Sequence, residues 1–398
     1  MKYYILPGRK NGENMKFYPD TGIVLPVSAA DSPVQPPAAA VPGNLSGLSE
    51  LRFLSILPTS RCNFRCKYCY AAGEHSGCEL NHAQIRGIID FFLSPQRTAH
   101  AGHSITVIGG GEPLCRADLT LDTFEYAAQC ARRWQRNLDL TLVTNGSLLT
   151  GEIADFLLRN AIHTRISFEV LPEIQNDQRG NYETVARNIR AFCRAGGSPG
   201  IRTVLTPDHI GKLPEIVEKL HADYPEITRL DCDPVTSNSY FPDPASVCRF
   251  GEKFIAAYFA AAEKAAAFGI KLQNMWHRQL FAGTAAARFC PGEMSLSPDG
   301  SISICHRISD RCRGEKAGMV YGEVSPGGEV RIDENKLAGC CRPGTLHTFC
   351  QECFLKEICK GGCRYCNLYY PPEISAAFCQ VRREFSLQIL QKRLNEKH

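Results

Sequence analysis

The sequence predicts an α/β chain: a partial (β/α)6 barrel of parallel strands followed by a cysteine-rich C-terminal domain. Three observations carry this expectation. Six apolar, β-leaning runs alternate with five helix-like segments between residues 51 and 235. The strands are separated by helices, and right-handed crossovers curl such a sheet toward a barrel. Beyond residue 290 the chain is rich in Gly, Pro and Cys and too poor in apolar residues for a core of its own, so it needs staples or metal to fold.

Taken in order, residues 1–48 hold two strand-like pieces, Tyr3 to Leu6 and Met15 to Tyr18, around the turn cluster Gly8 to Glu13, which reads as a small hairpin. Residues 29–47, rich in Pro and Ala, read as an extended linker. The barrel is expected over 49–235. Its strands are Leu51 to Leu57, Ser104 to Ile108, Leu138 to Thr144, Thr164 to Val170, Ile201 to Thr206 and Thr228 to Val235. Apolar residues at three- and four-residue spacing place helices at 82–93, 120–134, 151–160, 183–195 and 211–222. Residues 236–282 read as bridging helices, chiefly an Ala-rich one at about 247–268, and residues 283–398 as the cysteine-rich domain.

The 398 residues are 44% hydrophobic and 22% charged, with 45 basic against 41 acidic side chains and a net charge of +4. That balance calls for neither nucleic acid nor an anionic membrane surface as a partner. The longest apolar stretch, Phe254 to Ile270, is interrupted by Glu263 and Lys264, short of the roughly 18 residues needed to cross a bilayer. The opening MKYYILPGRK is broken by Pro7 and does not read as a signal peptide, so a cytoplasmic enzyme is expected.

Of the 20 cysteines, none precedes Cys62, nine lie between Cys62 and Cys248, and eleven fall in residues 290–398. Without a secretion signal, in a chain large enough to fold without staples, such cysteines read as metal ligands rather than disulfides. The sharpest group is TSRCNFRCKYCY, where Cys62, Cys66 and Cys69 follow the first strand in a C-x3-C-x2-C pattern. Three thiolates on one loop hold three irons of a cubane and leave the fourth open to a substrate. The competing reading, a structural zinc loop, wants a second pair of ligands to close four.

This loop, with the aromatic Tyr68 before its last cysteine, resembles the signature of the radical S-adenosylmethionine (SAM) enzymes, and the resemblance covers residues 50–235. It implies a TIM-like partial barrel. Gly110, Gly111, Glu112 and Pro113 at the end of the second strand resemble the family's GGEP motif, whose glycines admit close backbone approach and whose acceptors suit the SAM ammonium. Asn145 ends the third strand. Ser167 and Arg179 match a serine and an arginine that contact SAM in similar enzymes, while Glu169 stands where Asp is usual. An arginine fork suits the SAM carboxylate. What the resemblance implies is an electron delivered to cluster-bound SAM, cleavage of its sulfur–C5′ bond, and a 5′-deoxyadenosyl radical that removes hydrogen from the substrate.

The later cysteines resemble the SPASM extension of radical SAM enzymes, which binds two auxiliary clusters. By motif position Cys290, Cys305 and Cys363 hold the first, with Cys312 a candidate fourth ligand and an open iron the alternative. Cys350, Cys353, Cys359 and Cys379 hold the second. Cys340, Cys341 and Cys366 read as buried small residues, and so do the isolated cysteines of the barrel. Three [4Fe–4S] clusters and SAM are therefore the expected cofactors. His306 follows Cys305 where anaerobic sulfatase maturases carry Asp, which resembles peptide maturases that form thioether crosslinks. The implied partners are a ribosomal precursor peptide, an electron donor such as ferredoxin or flavodoxin, and either the N-terminal hairpin or a separate protein as leader binder. The alternatives are a C–C crosslink or another peptide modification, sulfatase-maturase-type oxidation and, from a different class, an iron–sulfur electron carrier or zinc-stabilised binding protein.

Overall fold

A computed structural model describes residues 3–8, 14–27, 47–72, 77–281, 292–342 and 348–395. Cys290, and all of the expected linker except Gly47, lie outside them. The N-terminal piece is a three-stranded antiparallel sheet, β1 (Tyr4–Pro7), β2 (Asn14–Tyr18) and β3 (Ile23–Pro26), where the sequence predicts two strands. The third was missed because three apolar residues between Gly22 and Pro26 give too short a pattern to read as a strand. The sheet buries Met15 and Phe17 completely; Phe17 meets Phe354 edge-on at 6.2 Å, so the first residues of the chain dock on its last hundred.

The alternation expected from the sequence follows: β4 (Phe53–Ile56), α1 (His82–Leu93), β5 (Gly102–Val107), α2 (Ala117–Arg133), β6 (Asn137–Thr144), α3 (Gly151–Arg159), β7 (His163–Ser167), α4 (Pro172–Gln178), α5 (Tyr182–Arg194), β8 (Gly200–Leu205), α6 (Leu213–Asp223) and β9 (Arg229–Pro234). The strands pair in parallel in chain order from β4 to β9. Their inward residues, among them Leu54, Ile56, Ile105, Val107, Leu142, Ile166 and Ile201, are buried, as a sheet covered by helices requires. Laid flat at about 4.8 Å per strand, six strands would be about 24 Å wide. Yet residues in or after all six line a single cavity, so the sheet is curled.

Helix α7 (Pro244–Ala267) starts on an Asp243 capping box. After it comes β10 (Lys271–Gln273), a strand inside the stretch read as bridging helices. Only its parallel partner β9 makes these three residues a strand, a tertiary cause that no local pattern shows. Helix α8 (Met275–Leu280) carries His277, whose Nδ1 lies 2.8 Å from the Tyr258 hydroxyl on α7. Burial, reinforced by Arg393, Arg278 and Lys271, pushes the His277 pKa down to about 4 from 6.5. This favours folding fully above pH 6.5 and is lost as pH falls toward 4, because the unfolded chain binds the proton first. We therefore expect His277→Asn to flatten the fall in Tm between pH 7 and pH 5, measured by thermal denaturation; an unchanged fall would refute this.

The remaining elements are β11 (Met294–Leu296), β12 (Ser301–Ser303), α9 (Arg311–Lys316), β13 (Val320–Val324), β14 (Val330–Ile332), α10 (Glu334–Cys340), α11 (Lys356–Cys359), α12 (Arg364–Tyr369) and α13 (Pro372–Asn395). Their strands are continuous with the barrel sheet. Strand β11 adds to β4 in parallel, and β12, β13 and β14 continue antiparallel, so one sheet of 11 strands runs from β10 to β14. Helix α13, not read from the sequence, buries Val381, Phe385 and Ile389. It lies against α7 so closely that a Cβ on Gly251 would sit 2.2 Å from a Val381 methyl. Among the described residues no helix is long and apolar enough to cross a membrane.

Candidate active site

The cavity, of about 180 Å³, opens at the C-terminal ends of the parallel strands, where ligands gather in α/β sheets. Cys62, Cys66 and Cys69 line it, with Tyr68 between the last two. The loop is short and internally braced: the Phe64 amide donates to the Cys62 sulfur at 3.4 Å and the Cys69 amide to the Cys66 carbonyl at 3.2 Å. Burial pushes the Cys62 thiol up to about 11, and the Cys66 thiol is raised for the same reason. Three half-buried thiols gathered this way become good thiolates only when a cationic group sits among them.

The glycine motif packs on that loop. Gly111 donates to the Thr59 carbonyl at 3.1 Å and Glu112 to the Arg61 carbonyl at 2.8 Å. A Cβ on Gly111 would fall 2.0 Å from the Arg61 oxygen. The glycine is thus required by the cysteine loop itself. We expect Gly111→Ala to displace the loop and lose up to about four iron per chain, the cluster that loop would hold, read by iron analysis; full incorporation would refute the packing argument. The Glu112 carboxylate is buried and accepts from Thr144 Oγ1 at 2.5 Å, the Asn145 amide at 2.7 Å and the Leu114 amide at 3.2 Å. Burial raises its pKa against those three donors. It ties the ends of β5 and β6 together at the cavity wall. Asn145 in turn holds Asn63 of the cysteine loop, at 2.9 Å.

Ser167 and Arg179 also line the cavity. The chain reaches Arg179 through a tight turn after β7, in which the Leu171 amide donates to the Glu169 carbonyl at 2.7 Å and Val170 is held at φ 64. That is a strained value for a β-branched residue. Arg179 Nε donates to Glu169 at 2.9 Å, its Nη1 lies 3.7 Å from the Cys66 sulfur, and its guanidinium lies 5.1 Å from the centre of the Tyr68 ring. Glu169 does not reach the cavity. Fully buried behind it, Glu169 accepts from Tyr68, Thr203, Arg179 and the Val204 amide. Its extra methylene over Asp spans from β7 to β8. Pro113, likewise buried, starts the turn after Glu112 and does not line the cavity.

The opposite wall comes from β8, β9 and the turn after β12. Arg202 pairs with Asp233 at 3.0 Å, and Arg307 reaches Thr236 Oγ1 at 2.9 Å. Burial opposes charge on Asp233, but Arg202 and Arg278 hold its pKa below the usual range. His306 lines the cavity with its Nδ1 2.7 Å from Glu293, which also accepts from the His306 amide at 2.6 Å and Ser55 Oγ at 2.5 Å. Burial disfavours the Glu293 carboxylate, yet His306 and Ser55 together keep its pKa low. The sequence reading missed Glu293, Arg202 and Asp233. Asp233 sits near the end of β9, where the strand-end rule that found Ser167 could have found it; Arg202 lies in the middle of β8, and for it and Glu293 no local signal exists.

The C-terminal cysteines form two groups. Cys379 of α13 is pushed up to about 12 by burial, with Cys359, Cys350 and Cys353 among its charged neighbours. Arg382, one turn along α13, donates to the Cys359 sulfur at 3.0 Å. Cys305 and Cys363 are half-buried, and desolvation, with Glu293 and Cys363 as charged neighbours, pushes the Cys305 thiol up. Cys312, the candidate fourth ligand, is instead exposed on α9 and is not among the neighbours that set the charge of either. Cys340 and Cys341 are buried as expected, whereas Cys78, one of the isolated cysteines, is exposed.

Among the described residues no three His, Cys, Asp or Glu side chains converge as a single ion would need. A cubane asks for something else, since each cysteine ligates its own iron and the thiols surround a volume. The loop that lines the cavity, with Arg179 beside Cys66 to offset thiolate charge, fits that group.

A curled parallel sheet with a three-cysteine loop after its first strand and a glycine turn packed on that loop defines a domain that works with SAM and a [4Fe–4S] cluster. Residues 56–220 match the family model described as the Radical SAM superfamily, and this part of the chain is a radical SAM domain, of an enzyme superfamily. A probable GTP 3′,8-cyclase of Methanopyrus kandleri is 30% identical over 177 residues, 43% of this chain and 53% of that one. The chain thus spans about half the length of that relative. A cysteine-type anaerobic sulfatase-maturating enzyme of Clostridium perfringens is 22% identical over 338 residues, 78% of this chain and 87% of the relative. The fold is shared with anSMEcpe bound to AdoMet and the Kp18Cys peptide, at a TM-score of 0.68 and 17% identity over 86% of this chain and 99% of that one. It is also shared with Streptococcus suis SuiB bound to its precursor peptide SuiA, at 0.57 and 17% over 81% and 73%.

Proposed function

We propose that the chain is a radical SAM peptide maturase that installs a crosslink, a C–S thioether, in a ribosomally made precursor. The observation that carries this is a single cavity lined on one side by the three-cysteine loop and on the other by His306 and Arg307, next to Cys305. In this reading residues 49–235 are the barrel, 236–282 the bridge, and 283–398 a SPASM domain with two auxiliary [4Fe–4S] clusters. Similarity to the sulfatase-maturating enzyme over most of the chain, and not over the barrel alone, supports a substrate of that kind over a nucleotide.

Bound to Cys62, Cys66 and Cys69, a [4Fe–4S] cluster would supply the electron that cleaves SAM to a 5′-deoxyadenosyl radical. The chain's own residues orient and protect. Arg179 offers its fork to the SAM carboxylate, and Asn145, Ser167 and the glycine turn shape the wall around the rest. Glu293 accepts from His306 Nδ1, leaving Nε2 to take the proton of a peptide cysteine as its sulfur joins the carbon from which the deoxyadenosyl radical has removed hydrogen; an auxiliary cluster of the C-terminal domain would take up the one electron left over. An Asp there would serve oxidation of a peptide side chain, the alternative product class along with a C–C crosslink.

The test is anaerobic reconstitution followed by iron, sulfide, SAM-cleavage and peptide assays. The expected result is about 12 iron and 12 sulfide per chain, SAM-dependent 5′-deoxyadenosine, and a peptide lighter by two hydrogens. Zinc with little sulfide would overturn it in favour of a binding protein, and clusters without SAM cleavage in favour of an electron carrier. Removal of residues 1–28 separates leader binding by the N-terminal sheet from binding by a separate protein, through the peptide Kd.

A further inference from the structure

At the N-terminal ends of the barrel strands, opposite the active-site cavity, lies a second cavity of about 640 Å³, whose walls include Asp139, His163, Arg165, Gly200 and Arg229. We propose that it binds a small phosphate-type dianion, gripped by Arg165 of β7 and Arg229 of β9 across Gly200 of β8. The inference is independent of the reaction proposed above.

Arg165 pairs in register with Gly200 of the next strand. A Cβ built on Gly200 would lie 3.8 Å from Cγ of Arg165 and 3.5 Å from Cδ of Arg229, so the two stems converge over the position that lacks a side chain. Those are ordinary contacts, and the Gly200 backbone is not left-handed. Neither packing nor conformation calls for glycine there. A strand glycine without such a cause marks a place that a ligand approaches closely. Two guanidiniums facing one space are the donor set that a phosphate takes, each planar fork offering parallel charge-assisted bonds.

The charge is unbalanced at the same place. Next to the cavity, Asp233 pairs with Arg202 at 3.0 Å, and Asp231 with Arg278 at 2.7 Å and Arg229 at 3.3 Å. Arg165, half-buried, makes no hydrogen bond or ion pair among the described residues, and Arg229 Nε is buried without an acceptor among them. These four guanidiniums face two carboxylates, and a dianion would neutralise the surplus. Burial and then Arg229 hold the Arg165 pKa below the arginine range, as an unanswered cation requires. Asp139 is exposed and lies four residues down β6 from Val143, the partner of Arg165, which is about 13 Å along a strand and too far to answer it.

The experiment uses the full reconstituted chain and inorganic phosphate as the probe, against acetate and chloride at matched ionic strength, with glycerol 3-phosphate as a phosphomonoester. Calorimetry gives Kd and thermal denaturation gives Tm for the parent, Arg165→Met, Gly200→Val and Arg187→Met, the last an exposed arginine of α5. The parent is expected to bind a single phosphate per chain and to gain Tm with it, whereas acetate and chloride do neither. Arg165→Met should keep the parent's Tm without phosphate, because no partner is lost, and bind phosphate about tenfold or more weakly. Gly200→Val, which fills the space between the stems, should weaken binding likewise, and Arg187→Met should leave it unchanged. Glycerol 3-phosphate bound as tightly as phosphate would support the site with a phosphorylated small molecule as occupant, and its exclusion would support it with the free ion. No saturable phosphate binding by the parent, equal binding of acetate, or parent-like binding in both Arg165→Met and Gly200→Val would overturn the proposal.

Discussion

Replacement of Cys66 by Ala is expected to abolish SAM cleavage, by more than 100-fold or about 2.7 kcal/mol of barrier, while leaving about eight of 12 iron per chain in place. Cys66 is the middle cysteine of the loop and lies beside Arg179, at 3.7 Å. Two remaining thiols cannot hold three irons, so the cluster that meets SAM is lost. The C-terminal groups draw on other elements: Cys379 comes from α13, and Cys305 from the turn after β12. Their clusters should survive. 5′-Deoxyadenosine yield and iron content measure the two halves of this statement independently. Cleavage persisting in the variant would sink the assignment of the loop, and loss of all iron would sink its independence from the other two groups.

Arg179→Met is expected to destabilise the chain by about 3–5 kcal/mol, far more than removal of a surface arginine. The guanidinium is nine-tenths or more buried, and its carboxylate partner is fully so, at 9% and 0% side-chain exposure. Taking away the cation leaves Glu169 charged, dry and answered only by Tyr68, Thr203 and one amide. The double variant Arg179→Met with Glu169→Gln should recover much of that loss, because no lone charge remains buried. Urea midpoints of the single and double variants give the coupling. If the single variant loses less than about 1 kcal/mol, the pair is not what holds β7, β8 and the cysteine loop together. Both variants should also lose SAM affinity, since the same guanidinium lines the cavity.

The barrel was legible in the sequence because its elements are set locally. Helix α1 begins and ends where its periodicity does, and all six parallel strands fall within the predicted apolar runs, give or take two residues. The cysteine loop was legible for a similar reason, its three ligands lying within eight residues. What failed to show were elements that exist through partners: β10 through β9, β11 through β4, and α13 through the close face of α7 at Gly251. Glu293 illustrates the same limit for chemistry. It is unremarkable in sequence and meets His306 and Ser55 only because the start of β11 and the turn after β12 bring them together.

By itself the sequence determined the class of chemistry: three thiolates in a spacing suited to a cubane, a glycine turn one strand later, and a second set of cysteines whose intervals interlock. Spacing along a chain is enough for that, since loop ligands and strand-end glycines act over a few residues. The tertiary structure alone decided how those parts are partnered. It paired Glu169 with Arg179 as a buried counter-charge and put His306 and the cysteine loop on one cavity. Burial, pairing of charge and the approach of distant sulfurs depend on distances in space, which residues 13 or 240 positions apart do not carry in their order.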